Sequence, residues 1–395
     1  MTGFDRSLRP VAASRLLMRF CAPDSAPTLA PEENLDSDDW SRLAGAASRH
    51  GVTPLVARRL ASTADPGAGA AARQRIITNG HAIRLRNQYL TAELVRLLGE
   101  LRGAAIEALA IKGPVLGAIA YGDHGLRAFA DLDLLVRPAS LGAAARLFAR
   151  LGFTADLYDE AAVASGFFDA VETNFQRPDG IVNVDLHWEL APAYYRFGPG
   201  GEAVWDRAIA VLLEGATIRT LGHEDHLLYL AVHASRHGWP ALSHVADVAH
   251  FVDRVALDWP ALLARASATR CRTMLDLGML LAHDLLGTAL PDAVLAAARS
   301  DARAAALARA IAADLAGDHA PSELRLLRRS LAAIAERRDR VRYIAAHGFA
   351  PTLVDWRFRP LPRPFYPAYY LLRPLRIGRG LVRRAFARGQ HQSTQ

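Results

Sequence analysis

Three aspartates have the residue type and spacing for chemistry on a bound cation. Asp131 and Asp133 alternate with leucine in the segment Asp-Leu-Asp-Leu-Leu-Val, and residues two apart on a β-strand point to the same face. Carboxylates held this close repel each other unless a cation lies between them. Asp185 lies in Asn-Val-Asp-Leu-His, a second segment with polar residues on one face and apolar residues on the other. We predict that Asp185 joins the pair from a neighbouring strand.

Oxygen ligands on rigid strands are typical of Mg²⁺, which keeps several waters and takes substrate phosphates as further ligands. In a two-metal site, one ion activates the attacking oxygen and the other stabilises the leaving phosphate. We therefore predict two Mg²⁺ ions, with Asp131, Asp133 and Asp185 as metal ligands and catalytic residues. A solvated strand face remains the alternative for an Asp-x-Asp segment considered alone.

Lys112 is the only lysine among the 47 basic residues of the chain. It follows the apolar run Ala108–Ile111, a predicted buried strand, and precedes Gly113-Pro114, which predicts a tight turn. An ammonium is a compact charge, whereas a guanidinium is a wide planar fork. We predict that Lys112 contacts a phosphate or, without nucleotide, a carboxylate of the site.

The surrounding segments predict the elements that would position these residues. Apolar spacing predicts a helix from about Ala71 to Arg102, with Arg84, Arg86 and Asn87 favoured on its solvated face. Pro178-Asp179-Gly180 predicts a hairpin turn. The other predicted elements are a helix over Val115–Tyr121, strands over Leu132–Val136 and Gly152–Tyr158, a helix from Ser140 through Arg150, hairpin arms within Phe167–Arg177 and Ile181–Trp188, a helix over Glu202–Leu213, a strand over Thr217–Leu221, and helices from Gly222 to about residue 346.

Together these elements predict the α+β class, with a small mixed β-sheet core, a helical N-terminal region and a large helical C-terminal part. The predicted divisions are an N-terminal helical region over 1–103, the sheet-containing core over 104–222, a helical C-terminal domain over 223–350, and a basic tail rich in proline, arginine and aromatic residues over 351–395.

The composition, with 51% hydrophobic and 22% charged residues, is typical of a globular protein. The net charge of +7 is concentrated near the C-terminus, because nine arginines lie between Arg357 and Arg388 and no acidic residue follows Asp355. Removing these nine from the 47 basic residues leaves 38, against 40 acidic residues. The body therefore offers no electrostatic argument for a nucleic-acid groove.

The basic tail and the cysteines bear on partners and location. The tail could lie on an anionic membrane surface or touch RNA, or it could pack on the body. Cys21 and Cys271 are far apart in sequence, which favours a reducing compartment. No signal peptide or membrane span is predicted, so we expect a cytoplasmic protein with an optional peripheral position at the inner membrane surface. The tail residues concerned are Phe365, Tyr366, Tyr369, Tyr370, Arg373, Arg376, Arg379, Arg383 and Arg384.

The order of these motifs resembles the DNA polymerase β-like nucleotidyltransferase superfamily, and within it the bacterial family usually labelled uncharacterised nucleotidyltransferase. The resemblance covers about residues 35–260 and rests on the order of its motifs rather than on any one of them. The matching residues are Trp40, His50-Gly51-Val52, Lys112-Gly113, Tyr121-Gly122, Arg127, Asp131, Asp133, Asp185-Leu186-His187-Trp188, His233, His237, Trp239 and Asp247.

The resemblance implies that Asp131 and Asp133 hold both Mg²⁺ ions and that Asp185 holds the ion that activates the acceptor hydroxyl. It also implies that Lys112, Gly113 and Arg127 bind the nucleotide. Many superfamily members have Gly-Ser or Gly-Gly where this chain has Gly113-Pro114, and proline removes one backbone donor. For Arg127, a structural ion pair with Asp123 or Asp131 is the alternative.

Three histidines and a further aspartate are predicted near the acceptor or behind the site. His187 shares the predicted face of Asp185 and could position the acceptor, transfer a proton or serve as an ordinary hydrogen-bonded residue. His233 and His237 have the i, i+4 spacing of zinc ligands, and Asp247 could be a third ligand. A buried polar network under the cleft is the favoured interpretation of His233, His237 and Asp247.

The predicted function is Mg²⁺-dependent transfer of a nucleoside monophosphate from an NTP, with ATP as the expected nucleotide, to an acceptor hydroxyl with release of pyrophosphate. The acceptor could be a small molecule, a sugar, a peptide or a protein; nucleic acid is disfavoured. The alternative is a catalytically weak nucleotide-sensing or partner-binding module of the same fold, docked through its basic tail.

Overall fold

The computed structural model describes residues 12–26, 36–62, 69–155, 157–195, 197, 202–317 and 319–379. The predicted α+β class is confirmed: a small mixed sheet lies between helical N-terminal and C-terminal regions. The N-terminal helices are α1 (Ala12–Cys21), α2 (Ser37–Arg49), α3 (Thr53–Ala61) and α4 (Ala70–Gly103). The long predicted helix matches α4 to within one residue at each end.

Five strands form the main sheet in the order β1-β2-β5-β4-β3. The strands are β1 (Ala108–Ala110), β2 (Leu132–Val136), β3 (Thr154–Ala155), β4 (Glu172–Gln176) and β5 (Asn183–His187). Strands β2 and β5 run parallel and the other pairs run antiparallel. The parallel register places Asp133 directly opposite Asp185. Asp131 immediately precedes β2.

Helices and a second hairpin complete this part of the chain. Helix α5 (Gly113–Leu116) continues as a π-helix over Gly117–Tyr121; α6 spans Leu141–Arg150, α7 Glu160–Ala164 and α8 Glu202–Asp206. A separate hairpin joins β6 (Ile209–Leu213) to β7 (Ala216–Thr220).

Two predicted boundaries were wrong. The predicted helix over Glu202–Leu213 ends at Asp206 and gives way to β6. The residues between β6 and β7, Glu214 and Gly215, both have positive φ, which is the backbone of a tight hairpin turn and is incompatible with a continuing helix. The predicted strand over Gly152–Tyr158 forms a ladder only at Thr154–Ala155.

The two faces of the sheet have different neighbours. Leu132, Leu134, Val184 and Leu186 belong to a buried core with apolar residues of α4 and α6. By the two-residue alternation, Asp133 and Asp185 lie on the opposite face. That face is turned towards the C-terminal helices, because Leu135 belongs to the core that they form. The acidic face is therefore covered by a separate helical layer.

The C-terminal layer consists of successive helices that share one core with the N-terminal helices. Ser14 of α1, for example, donates a hydrogen bond to the carbonyl of Ala316. The helices are α9 (His223–Arg236), α10 (Leu242–Arg254), α11 (Trp259–Ala268), α12 (Arg272–Leu286), α13 (Asp292–Ser300), α14 (Ala302–Leu315), α15 (Glu323–Ala333), α16 (Arg337–Phe349) and α17 (Leu353–Phe358).

The tail packs on the body as far as the structure describes it. A 3₁₀ helix over Arg363–Ala368 leads into a helical segment over 369–379. Tyr366 and Tyr369 are buried against Phe168, and Arg373 and Arg376 pair with Asp355. Arg383 and Arg384, also predicted for this surface, lie outside the described residues. Among the described helices, none has the length and apolar character needed to cross a bilayer.

Replacing Tyr369 should release the tail. Tyr369 is fully buried, its hydroxyl donates to the carbonyl of Arg359 and accepts from the Leu361 N–H, and removing a large buried aromatic side chain costs about 3–5 kcal/mol. We expect Tyr369→Ala to accelerate amide exchange across residues 353–379. The half-exposed neighbour provides the control Tyr370→Ala, for which a much smaller change is expected. Equal protection in the two variants would contradict this packing.

Candidate active site

The centre of the site is the facing pair Asp133 and Asp185, with Asp131 beside them. Asp133 is almost completely buried, and Asp131 and Asp185 are partly buried. Burial raises the pKa of Asp131, and the negative charges of Asp133 and Asp185 add to this effect. Burial and Asp133 also raise the pKa of Asp185, against the opposing hydrogen bond from Asn174. The three predicted carboxylates therefore lie close enough to interact electrostatically.

Lys112 provides the nearest positive charge. Its Nζ lies 2.6 Å from Oδ1 of Asp133, and both side chains are nearly buried. Burial alone would raise the pKa of Asp133, but Lys112 and His187 outweigh it and hold that pKa well below its ordinary value. Burial would lower the pKa of Lys112, yet the Asp133 carboxylate raises it. The predicted contact of Lys112 with a site carboxylate is thus present.

Gly113 makes the turn that places Lys112 here. Its φ is +56°, a left-handed conformation that glycine adopts without strain. A Cβ at this position would lie 3.4 Å from the carbonyl oxygen of Asp131, so the turn also packs against the segment that carries the carboxylates. Pro114 occupies the first turn of α5, where its missing N–H has no helical partner to lose.

His187 is a buried bridge between two carboxylates. Its Nε2 lies 3.3 Å from Oδ1 of Asp133, and its Nδ1 lies 2.9 Å from Oε2 of Glu172. Burial would lower the pKa of His187, but the two carboxylates raise it to about 9. A histidine that is charged at neutral pH and has both nitrogens beside carboxylates positions them. It is not placed to contact an acceptor or to accept a proton.

The hairpin supplies two residues that the sequence analysis missed. Glu172 and Asn174 on β4 face His187 and Asp185 on β5, and the amide of Asn174 donates to Oδ1 of Asp185 at 2.8 Å. The signal in the sequence was that Glu172 and Asn174 flank Thr173 and therefore share one face of a strand. It could not be used because the register across the turn was unknown, and a shift of one residue moves every side chain to the other face.

Arg127 pairs with Asp247 of α10 rather than with Asp123 or Asp131. Its Nε and Nη2 donate to the Asp247 carboxylate at 2.9–3.1 Å, and the hydroxyl of Tyr121 donates to the same group at 2.8 Å. Asp247 thus ties the loop before β2 to the helical layer. Of the predicted polar network of His233, His237 and Asp247, the structure shows hydrogen bonds for Asp247, and its partners are Arg127 and Tyr121 rather than the histidines.

Helix α4 holds the same loop from the other side, and the favoured prediction of a solvated face is wrong for Asn87, whereas Arg84 is half-buried and Arg86 is exposed. Asn87 is fully buried, and its amide donates to the carbonyls of His124 and Arg127. Arg84 pairs with Asp123, and Arg86 donates to the carbonyl of Ala130. These side chains position the loop that carries Arg127.

Helix α9 lies against the acidic face with Tyr229, His233 and Arg236 along one side, at spacings of four and three residues. The fully buried hydroxyl of Tyr229 has no hydrogen-bond partner among the described residues, and it interacts electrostatically with Lys112 and Asp133. The His233 and His237 rings are 4.7 Å apart. Tyr229 and Arg236 were missed because residues on a helix reveal their common face only when the helix is docked.

The zinc alternative has no support in the geometry. The Asp247 carboxylate is already bound by Arg127 and Tyr121, and within the described ranges no group of three or more His, Cys, Asp and Glu side chains is arranged to hold a metal ion. In their present arrangement, Asp131, Asp133 and Asp185 also do not form a group that could hold a metal ion. Lys112 and Asn174 now occupy oxygens of Asp133 and Asp185 that a cation would need.

Two cavities adjoin the carboxylates. The smaller, about 200 Å³, is lined by Lys112, Arg127, Asp131, Asp133, His233 and Asp247, among others. The larger, about 520 Å³, is lined by Asp185 together with residues of β4, the C-terminal helices and the tail. The structure thus brings most of the predicted site residues to the lining of one of these two cavities. Gly113, His187 and His237 line neither of these two cavities.

Facing aspartates on two interior strands, a lysine-glycine turn and a covering helical layer agree with the motifs on which the resemblance to nucleotidyltransferases rests. The family described as uncharacterised nucleotidyltransferase matches residues 36–287, and the chain belongs to this family. A crystal structure of an antigenic nucleotidyltransferase-like protein from Paracoccidioides brasiliensis is similar over 47% of this chain and 91% of that chain, with 14% identity and a TM-score of 0.30. No curated protein matches the chain.

The charge of His187 should make stability depend on pH. Because the folded pKa of about 9 exceeds the ordinary value of 6.5, the folded state binds this proton more tightly than the unfolded state. Protonation of His187 therefore contributes about 3 kcal/mol to the free energy of unfolding. This contribution is complete below pH 6.5 and is lost as pH rises through 9. We expect urea unfolding of His187→Gln to show a flatter loss of stability between pH 6.5 and 9 than the wild type. His237→Gln, at an exposed position, is the control, and identical slopes for all three proteins would refute the assignment.

Proposed function

We propose that this protein transfers a nucleoside monophosphate from a Mg²⁺-bound NTP to an acceptor hydroxyl and releases pyrophosphate. The observation that carries the proposal is the parallel register that sets Asp133 opposite Asp185, with Asp131 adjacent and Lys112 within 2.6 Å of Asp133. Family membership supports the transferase class. The finer assignment of metal, nucleotide and acceptor is our inference.

The donor set suits Mg²⁺. All three carboxylates are hard oxygen ligands, and burial together with mutual repulsion raises the pKa of Asp131 and Asp185, a repulsion that a bound divalent cation would relieve. Asp131, Asp133 and Asp185 would hold the ions, which supply charge neutralisation and polarise the phosphoryl group when bound. Adoption of that site requires Lys112 to leave Asp133.

The smaller cavity is the proposed place for the triphosphate. Lys112 and Arg127 line it together with Asp131 and Asp133, so cationic side chains and metal-binding oxygens face one space. Its volume of about 200 Å³ equals that of about six or seven waters. This is room for the phosphates rather than for a whole nucleotide. Lys112 would exchange its contact with Asp133 for a phosphate oxygen, which would leave Asp133 free for Mg²⁺.

The chain would then contribute by positioning and by charge. Lys112 stabilises negative charge on the phosphates, and Arg127 keeps its loop in place through Asp247. The contact with His187 keeps the Asp133 carboxylate oriented. The Asp185 carboxylate, held by Asn174, lies at the side from which an acceptor can approach and is the proposed proton acceptor for the attacking hydroxyl.

Removing the two aspartates of the β2 segment should abolish the reaction. We expect Asp131→Ala/Asp133→Ala to lose Mg²⁺-dependent binding of ATP by calorimetry and at least about a thousandfold in nucleotide transfer, because both metal ligands are gone. Asp292→Asn, at an exposed position on α13, is the control. Equal binding or transfer by the double variant and the wild type would contradict the site. Tight binding by the wild type without transfer to any acceptor would favour the nucleotide-sensing alternative.

Arginine should not replace Lys112. A planar guanidinium cannot occupy the nearly buried position that the ammonium takes beside Asp133. We expect both Lys112→Arg and Lys112→Met to weaken binding of Mg²⁺-ATP about tenfold or more. The reverse change Arg102→Lys, on the exposed end of α4, should have no effect. Thermal unfolding identifies variants that fail to fold, and wild-type affinity in a folded Lys112→Arg protein would remove Lys112 from the nucleotide site.

A further inference from the structure

The larger cavity lies on the Asp185 side of the carboxylates. Its sheet wall contains Glu172, Asn174 and Asp185, and its opposite wall is formed by the C-terminal helices and the tail, including Leu353 and Arg373. Its volume of about 520 Å³ is within the usual range for small-molecule sites. The fold therefore offers an open cleft with space for a compound beside the carboxylate at which the acceptor is expected.

The two cavities are lined by different carboxylates. Asp131 and Asp133 line the smaller cavity, whereas Asp185 lines the larger one. Displacement at phosphorus places the attacking and leaving oxygens roughly in line, on opposite sides of the phosphorus. With the triphosphate in the smaller cavity, the attacking hydroxyl comes from the larger cavity.

Two opposite charges in the larger cavity have no protein partner. The guanidinium of Arg236 and the carboxylate of Asp169 each make no hydrogen bond or ion pair with any residue that the structure describes, although both are half-buried and influence each other electrostatically. Arg373, in contrast, is bound by Asp355 and Thr352. Burial raises the pKa of Asp169 in spite of the nearby cations.

Charged groups removed from water are unfavourable unless they are paired. An anionic ligand group would satisfy Arg236, and a ligand ammonium would satisfy Asp169. The cavity is also lined by Leu157, Val171 and Leu353, which suit a hydrocarbon portion. This pattern fits a compact molecule with charges of both signs better than it fits a sugar.

We propose that the larger cavity binds a small zwitterionic acceptor, which carries a hydroxyl, an ammonium and a carboxylate or phosphate group. Arg236 binds the anionic group, Asp169 binds the ammonium, and the hydroxyl faces Asp185. This inference rests on the proposed function and gives it a substrate class. Arg236 and Asp169 are acceptor-binding residues, and the tail contributes a wall of the same site.

The proposed transfer forms one bond to phosphorus and breaks another. The acceptor oxygen forms a bond to the α-phosphorus of the NTP as the bond from that phosphorus to the bridging oxygen of pyrophosphate breaks. The hydroxyl proton passes to the Asp185 carboxylate, and the electron pair of the broken bond leaves with pyrophosphate. The products are the nucleotidylated acceptor and pyrophosphate.

The test uses the full chain with Mg²⁺ and each α-labelled NTP, and it compares four acceptor sets. Serine, homoserine and tyrosine carry a carboxylate; glycerophosphoethanolamine carries a phosphate; glycerate carries only the anion; ethanolamine carries only the ammonium. Labelled products are resolved by chromatography, and labelled protein is detected on gels. Acceptor binding without nucleotide is measured by calorimetry, which reports on the cavity separately from turnover.

We expect transfer to at least one zwitterionic compound. Arg236→Gln should raise its KM by about tenfold or more, the effect of one charge-assisted hydrogen bond, while the KM for the NTP changes less than about twofold. Asp169→Asn should impair use of the zwitterion but not of glycerate. Arg42→Gln, at an exposed position on α2, should behave like the wild type.

Three results would overturn the acceptor class: a wild-type protein that binds Mg²⁺-NTP but uses and binds none of the zwitterions, an unchanged acceptor KM in Arg236→Gln, or label found only on protein. Failure of the proposed function itself is a different result. In that case the wild type and Asp131→Ala/Asp133→Ala bind Mg²⁺-NTP equally, whereas calorimetry can still show loss of zwitterion binding in Arg236→Gln.

Discussion

Repulsion between carboxylates is the constraint on which this structure depends. The β2–β5 register sets Asp133 opposite Asp185, and Asp131 lies one residue before β2. Burial makes that proximity more unfavourable, because charges interact more strongly away from water. Lys112 and His187 balance the charge on Asp133, and Glu172 in turn faces His187. The acidic face is stable because it contains alternating charges rather than a cluster of one sign.

The helical layer makes this balance possible. Helix α9 covers the acidic face with Tyr229 and His233, and α10 brings Asp247 to Arg127. Residues of the N-terminal and C-terminal helices belong to one core, so a change in that core can alter the site without touching it. The tail also takes part in the site, because Arg373 pairs with Asp355 and lines the larger cavity.

The two cavities beside the carboxylates differ in size and in the residues that line them. On one side are the lysine-glycine turn and a small cavity lined by Lys112 and Arg127 together with the aspartates. On the other are Asn174, Asp185 and a larger cavity in which the charged groups of Arg236 and Asp169 have no partner among the residues that the structure describes. A reaction that joins a phosphate donor to an acceptor needs this asymmetry. The Tyr229 hydroxyl, which has no hydrogen-bond partner in the described part of the chain, interacts electrostatically with Lys112, Asp133 and Arg236.

The sequence by itself determined the α+β class, the long helix α4, the hairpin turn and the alternation that separates Asp133 and Asp185 from the apolar residues of their own strands, because these follow from local periodicity and turn chemistry. It also marked Lys112 through its uniqueness. Only the tertiary structure decided the partner of Arg127, the role of Asn87, the register that pairs Asn174 with Asp185, and the charge of His187. Those features arise between segments far apart in the chain, where burial and packing, rather than spacing, decide which groups meet and whether they are ionised.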